Sequence, residues 1–437
     1  MNLRLFFTCS LLAVSAITSC AQGIRMLTLE ECKEMARKYN TDIRTGKIDI
    51  DAARQTQKEA YTKYFPTVSA DGATFRADDE LIKGTVPPLP PLGITSPLEI
   101  GTMEKGNLFS VSVVQPIFAG GQIVHSNRLA KTAVEASRLQ LEMTTDRVDL
   151  ETETLYWKIV SLKEAEKTLN VLDSLLSSLH KDVSLAVETG ITTRNDLLTV
   201  QLKQNELNSN RLQVENGKVL SRMALCQYIG IPLDSAAFID VADLVFEIRN
   251  PLGCKADHGH ALYSLPGYRL LEKNVEVHQL KRKISLGQML PTVGLGASYT
   301  YEDLMFEKSR NHLALMATVR IPLSDWWGGS HKIKRSRLEE SKAVLQRQDG
   351  SEKLQLKMQQ SWNLLTESYE QITLAEAAVD EAEENLRIQT DNYKNGITTL
   401  SELLDAQGLY QKSRNRYADA CIDYQMKTTQ YLQDTGQ

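Results

Sequence analysis

Between Gly121 and Glu188 no proline or glycine interrupts the chain, and Leu169, Leu172, Leu176, Leu179, Val183 and Ala186 step alternately by three and four. Such a seam marks a helix whose strict seven-residue repeat forces left-handed supercoiling against its neighbours. At 1.5 Å of rise per residue, a helix over this stretch would be roughly 100 Å long. Near the C-terminus Tyr410, Tyr417, Tyr424 and Tyr431 recur every seven residues. At helical spacing this stripe reads as packing rather than as a ligand box.

Four segments change to a period of two. Val293, Leu295, Ala297, Tyr299 and Tyr301 alternate with Thr292, Gly294, Gly296, Ser298 and Thr300, and Leu313, Leu315, Ala317, Val319 and Ile321 do the same against Ala314, Met316, Thr318 and Arg320. Phe109, Val111 and Val113 alternate with Ser110, Ser112 and Val114, and a weaker strand runs from about Thr67 to Phe75. Strands are therefore expected near 66–76, 108–118, 290–301 and 312–323. Each has the length of a tilted membrane-spanning strand, apolar toward lipid and small or polar toward water. A soluble half-buried sheet alternates in the same way.

The pattern is duplicated. Gly190-Ile191-Thr192-Thr193 returns as Gly396-Ile397-Thr398-Thr399, each copy between two helical patterns and each followed by an acid, Asp196 or Glu402. Glycine closes one helix while Thr193 or Thr399 caps the next. Earlier landmarks also pair, Tyr64-Phe65-Pro66-Thr67-Val68 with Met289-Leu290-Pro291-Thr292-Val293. The change in offset between early and late landmarks puts a longer loop in the first half, over 78–106, where Pro87, Pro88, Pro90 and Pro91 fall. That loop is expected to hold no helix or strand of its own. The organisation read from this is a signal peptide over 1–21, a first repeat over 22–250 with its tip turn at 190–193, and a second over 251–437 with its tip turn at 396–399.

Composition excludes more than it selects. The 437 residues carry 50 basic and 55 acidic side chains, with no basic block able to follow a phosphate backbone, so nucleic acid is not an expected partner. Arg4 and the apolar stretch Leu5 to Ile17, ending in Thr18-Ser19-Cys20-Ala21, read as an export signal. Ordinary signal cleavage and lipidation at Cys20 both fit its end. Cys32, Cys226, Cys254 and Cys421 remain and do not pair across the repeat, so they read as small hydrophobes without a disulfide framework. His258-Gly259-His260 beside Cys254 and Asp257 could hold a transition metal, but no second ligand pair at metal-site spacing accompanies it. A solvated connector explains the cluster equally well. No catalytic set or cofactor motif is present, and an enzyme is not expected. Trp326-Trp327 after the last strand suits an interfacial aromatic belt or a buried corner.

The export signal and the lack of other core-forming sequence favour the membrane reading of the strands. Four strands leave two open edges that lipid cannot satisfy, so closure needs further copies. Two copies give an eight-stranded barrel filled by side chains, and twelve strands from a homotrimer are the smallest open conduit.

On these residues the chain resembles the TolC-like outer-membrane efflux protein family over nearly its whole mature length. Leu27-Thr28-Leu29-Glu30-Glu31-Cys32 with Tyr39-Asn40-Thr41-Asp42-Ile43 is similar to the family's opening helix. The Pro66 and Pro291 motifs are similar to those that begin its strands, and the Gly-Ile-Thr-Thr turns to its periplasmic tips. The resemblance implies a mostly helical fold of long coiled-coil hairpins with four strands per protomer. Three protomers would form a twelve-stranded barrel in the outer membrane and a helical tunnel through the periplasm. It further implies an exit duct for an efflux or type I secretion system, with a periplasmic adaptor and an inner-membrane pump as partners. Matched on Gly396, the family's acidic constriction falls on Glu402 and Asp405, and its constricting tyrosine on Tyr393. Its basic latch falls on Thr398, which cannot form a charged bond to the acceptor position, Asp196. The tips Gly190-Ile191 and Gly396-Ile397 would dock the adaptor. The alternative from the residues alone is a secreted or periplasmic coiled-coil scaffold without a pore, which has no reason to carry four barrel-length strands.

Overall fold

The computed structural model describes residues 25–78, 82–88, 96–102, 105–242, 248–303, 309–323 and 325–437. In chain order these form β1 (Arg25–Leu27), α1 (Leu29–Tyr39), α2 (Thr41–Thr62), β2 (Thr67–Arg76), β3 (Ile82–Val86), β4 (Leu98–Thr102), β5 (Lys105–Ala119), α3 (Gln122–Glu188), α4 (Arg194–Ile229) and β6 (Ile239–Val241). Then follow α5 (His258–Ser264), α6 (Pro266–Gly287), β7 (Thr292–Asp303), β8 (Arg310–Arg320), α7 (Asp325–Lys394) and α8 (Leu400–Thr435). The order helix, helix, strand, strand, long helix, shorter helix occurs twice, the first time with β3 and β4 inserted between the two long strands. Corresponding members match in length, with 22 residues in α2 and α6, 67 and 70 in α3 and α7, and 36 in α4 and α8.

Two compact units divide the chain, and each takes residues from both sequence halves. The first comprises 1–46, 141–265 and 354–437. Its core gathers Leu27, Cys32, Tyr156, Ile159, Leu225 and Ile229, all essentially without solvent contact. Thr28 caps α1 reciprocally with Glu31. Within this core Lys33 Nζ lies 2.7 Å from Glu153 Oε2, while Glu153 Oε1 accepts from Trp157 Nε1 and Thr429 Oγ1. Cys32, Cys226, Cys254 and Cys421 are free. Burial pushes the Cys32 thiol up to about 12, which leaves it an unreactive hydrophobe. The heptad seam Leu169, Leu172, Leu176, Leu179 and Val183 is buried against Leu400, Leu403 and Leu404. Tyr424 and Tyr431 are buried, the Tyr424 hydroxyl donating to the Arg249 carbonyl and the Tyr431 hydroxyl accepting from Ala256 N–H.

The second unit comprises 47–140 and 266–353 and carries an antiparallel sheet in the order β2-β5-β7-β8. Register places Val68, Val113, Ala297 and Leu315 in one row across all four strands, and Ala70, Val111, Tyr299 and Leu313 in the next row of the same face. The opposite face carries Ser69, Ser112, Ser298 and Ala314 in one row, and Asp71, Ser110, Thr300 and His312 in another. One face is thus apolar from edge to edge and the other small and polar. Leu315 is 80 % exposed, so the apolar face is bare in the single chain. Among the described residues the outer edges of β2 and β8 pair with no further strand.

One sequence expectation needs correction. The loop over 78–106 is not structureless, because β3 and β4 form an antiparallel hairpin in register from Ile82↔Thr102 to Val86↔Leu98. The prolines lie between its strands, and Ile82, Thr85, Val86, Ile100 and Thr102 supply the β-branched residues that favour strand structure. The parallel pair β1 and β6, joining Leu27 to Val241, was also unexpected. Three-residue strands are too short to show alternation.

Candidate functional site

The two tips are built alike, residue for residue. At the end of α3, Gly190 takes φ +76°, its N–H donates to Val187 O, and Ile191 N–H donates to Ala186 O. At the end of α7, Gly396 takes φ +70°, with matching bonds to Tyr393 O and from Ile397 N–H to Asn392 O. These paired bonds are a Schellman closure, which needs the left-handed conformation that glycine adopts without strain. No atom lies within 4 Å of a β-carbon placed on either glycine.

The next helix begins four residues after each glycine. Thr193 caps α4 reciprocally with Asp196, and Thr399 caps α8 reciprocally with Glu402. The preceding threonine reinforces each box: Thr192 donates its hydroxyl to Asp196, and Thr398 donates to Glu402. Asp196 Oδ2 and Glu402 Oε2 each accept from two threonine hydroxyls and one backbone N–H. Both carboxyls are held below the ordinary carboxylate range, chiefly by the Thr192 hydroxyl at Asp196 and by the Thr398 hydroxyl at Glu402.

Closure by backbone bonds leaves the isoleucines unused by the fold. Ile191 is 81 % and Ile397 73 % exposed at the apex of the turns.

The residues matched to a constriction fall in this same tip region. Tyr393, one turn before Gly396, packs partly buried against the Leu169 to Leu404 cluster. Burial, then the charges of Asp196 and Asp182, push its phenol up. Asp405 lies exposed one helical turn beyond Glu402. Thr398 spends its hydroxyl within its own tip. A small groove of about 80 Å³ between α3, α4 and α8, lined by Leu172, Leu207, Leu404 and Gly408, was not foreseen. Its sequence signal is Gly408, a glycine inside an otherwise unbroken helix.

The histidine cluster has structural duties. Asp257 Oδ1 caps Gly259 N–H at 2.9 Å, His258 Nε2 lies 3.2 Å from the Tyr431 hydroxyl, and the Cys254 thiol donates to Pro251 O. No metal-holding group of three such side chains occurs among the described residues. Cys20 lies outside the described residues. Trp327, in the first turn of α7, is 81 % exposed. No helix among those described is long and apolar enough to cross a membrane.

Residues 270–431 match the family model described as Outer membrane efflux protein. No curated protein sequence matches the chain. Among solved structures, the Campylobacter jejuni CmeC outer membrane channel superposes with a TM-score of 0.78 at 14 % identity, covering 93 % of this chain and 85 % of that one. The outer membrane protein VceC from Vibrio cholerae gives 0.76 at 14 %, covering 93 % and 96 %. The open state of the Neisseria gonorrhoeae MtrE outer membrane channel gives 0.71 at 13 %, covering 93 % and 88 %.

Proposed function

We infer that this chain is a member of the outer membrane efflux protein family and serves as the outer-membrane exit duct of an efflux system. The sheet carries the inference. It is apolar on one face across all four strands, small and polar on the other, and open at both edges, on a chain that also supplies two long helical hairpins. Lipid accepts the apolar face but offers nothing to an open edge. Three copies joined edge to edge give twelve strands around a water-filled bore, with the helices on the periplasmic side. The duct is passive, and energy and substrate choice belong to an inner-membrane pump.

At the helical tips, the six exposed isoleucines of a trimer, Ile191 and Ile397 from each chain, form an apolar crown suited to a periplasmic adaptor. Tyr393, Asp196, Glu402 and Asp405 stand where the bore would narrow. With Thr398 in place of a basic latch, closure rests on Tyr393 packing and tip contacts rather than on an ion pair. Membrane fractionation with crosslinking tests the duct. A trimer in the outer membrane that conducts ions in planar bilayers is expected, and a soluble periplasmic monomer would reduce the chain to a coiled-coil scaffold.

A further inference from the structure

Four passages of chain connect the sheet to helices, and the helical side of each is basic. Residues 58–66, 120–131, 281–291 and 321–337 together hold eleven lysines and arginines but only two acids, Glu59 and Asp325, in a chain whose net charge is −5. Side chains tie these passages into one level. Asn127 Nδ2 donates to Ala60 O at 2.8 Å, Gln122 Nε2 to Gly287 O at 3.2 Å, and Lys332 Nζ to Gln288 Oε1 at 2.5 Å.

Few of the cations are spent on partners. Arg282 pairs with Glu340 at 2.6 Å, and Arg335 approaches Glu339 only to 3.8 Å. Lys131, Lys334 and Arg337 are exposed. The same level carries bare aromatic rings. Tyr61 stacks edge-on with Tyr64 and with Phe65 at 5.6 Å, all three exposed, and Trp327 projects from α7. Long-stemmed cations beside amphipathic rings suit the boundary between hydrocarbon and water, where the stem lies in the apolar layer and the charge reaches the headgroups.

We propose that this basic collar binds the anionic phospholipid headgroups of the leaflet adjoining the periplasmic helices, and so fixes the depth of the sheet in the membrane. The proposal rests on reading the sheet as a membrane barrel. Exposed aromatic rings distinguish it from a collar that only draws soluble anions, since a watery passage gives such rings nothing to bury against.

The test uses the full-length trimer recovered from the outer membrane, so its failure leaves the barrel reading standing. Lipid retained in mixed micelles is measured by native mass spectrometry, offering phosphatidylglycerol or phosphatidylethanolamine, with inorganic phosphate as a soluble competitor. Phosphatidylglycerol should be retained preferentially. Changing Lys334→Gln, Arg335→Gln and Arg337→Gln together should weaken its retention about fivefold for each cation removed. The charge-preserving set Lys334→Arg, Arg335→Lys and Arg337→Lys should retain it, which separates charge from folding. Equal retention of both lipids, unchanged retention in the glutamine variant, or full displacement by phosphate at equal concentration would each overturn the proposal.

Discussion

Gly120 and Gly287 meet backbone to backbone: a β-carbon on Gly120 would lie 2.2 Å from Gly287 O, and one on Gly287 would lie 2.4 Å from Gly120 O. This contact sits where β5 passes into α3 and where α6 ends before β7. Neither obstacle is a flexible side chain. Gly120→Ala or Gly287→Ala should therefore destabilise by about 3 kcal/mol or more, at the upper end of overpacking. Gly408→Ala, where a β-carbon meets nothing within 4 Å, should be neutral or stabilising by up to about 1 kcal/mol. Melting temperatures would rank the three variants.

The buried pair of Lys33 and Glu153 has side chains only 12 % and 3 % exposed. Lys33→Met would strand a carboxylate in the core and should cost about 3–5 kcal/mol. Adding Glu153→Gln should recover part of the loss. Urea unfolding followed by Trp157 fluorescence measures both, and equal loss in the single and double variants would show that the charge is not the cause.

Acid should loosen the tips. Asp196 and Glu402 have folded pKa values below their unfolded ones. Their contribution is fully present above the ordinary carboxylate pKa, about 4, and is lost as pH falls through the lower folded values. Protection of the Thr193 and Thr399 amides against hydrogen exchange should hold at neutral pH and collapse only on acidification. In Thr193→Ala and Thr399→Ala, each weakening a cap by about 1 kcal/mol, protection should already be reduced at pH 7.

The tips were legible in sequence because every bond in them is local. Gly190 to Asp196 contains its own closure, cap and acid, and the same letters recur at Gly396 to Glu402. The four long strands were legible because alternation over ten residues survives averaging. The hairpin of β3 and β4 was hidden by its prolines, whose weight in a local reading outran Ile82, Val86 and Ile100. β1 and β6 were hidden because a three-residue strand exists only through a partner far along the chain. The Gly120–Gly287 contact had no signal at all, since each glycine reads locally as the end of an element.

Asp405 is the acid to test for ion selectivity, because Glu402 already spends Oε2 on three donors in its own cap. Asp405→Asn should reduce cation preference and multivalent-cation block in planar bilayers without changing stability. Glu402→Gln should also loosen the tip. Unchanged selectivity in Asp405→Asn would remove this residue from the constriction.

Ile191 and Ile397 contribute little to the fold, so Ile191→Ser with Ile397→Ser should leave the stability within about 0.5 kcal/mol of the parent. Export should nevertheless fail if these side chains seat the adaptor. Normal drug or dye efflux by cells carrying the double variant would dismiss that role.

The order β2-β5-β7-β8 also constrains the timing of folding. β7 and β8 are consecutive, and β2 and β5 are separated only by the β3–β4 hairpin, so each pair can zip soon after it emerges, but the central seam joins Val111 to Tyr299 across everything between. Loop closure of that span is slow relative to local pairing. The first half-sheet, with one bare face and exposed edges, must therefore wait until the second has formed. That interval is when the newly made chain is most prone to aggregate and most in need of an escort.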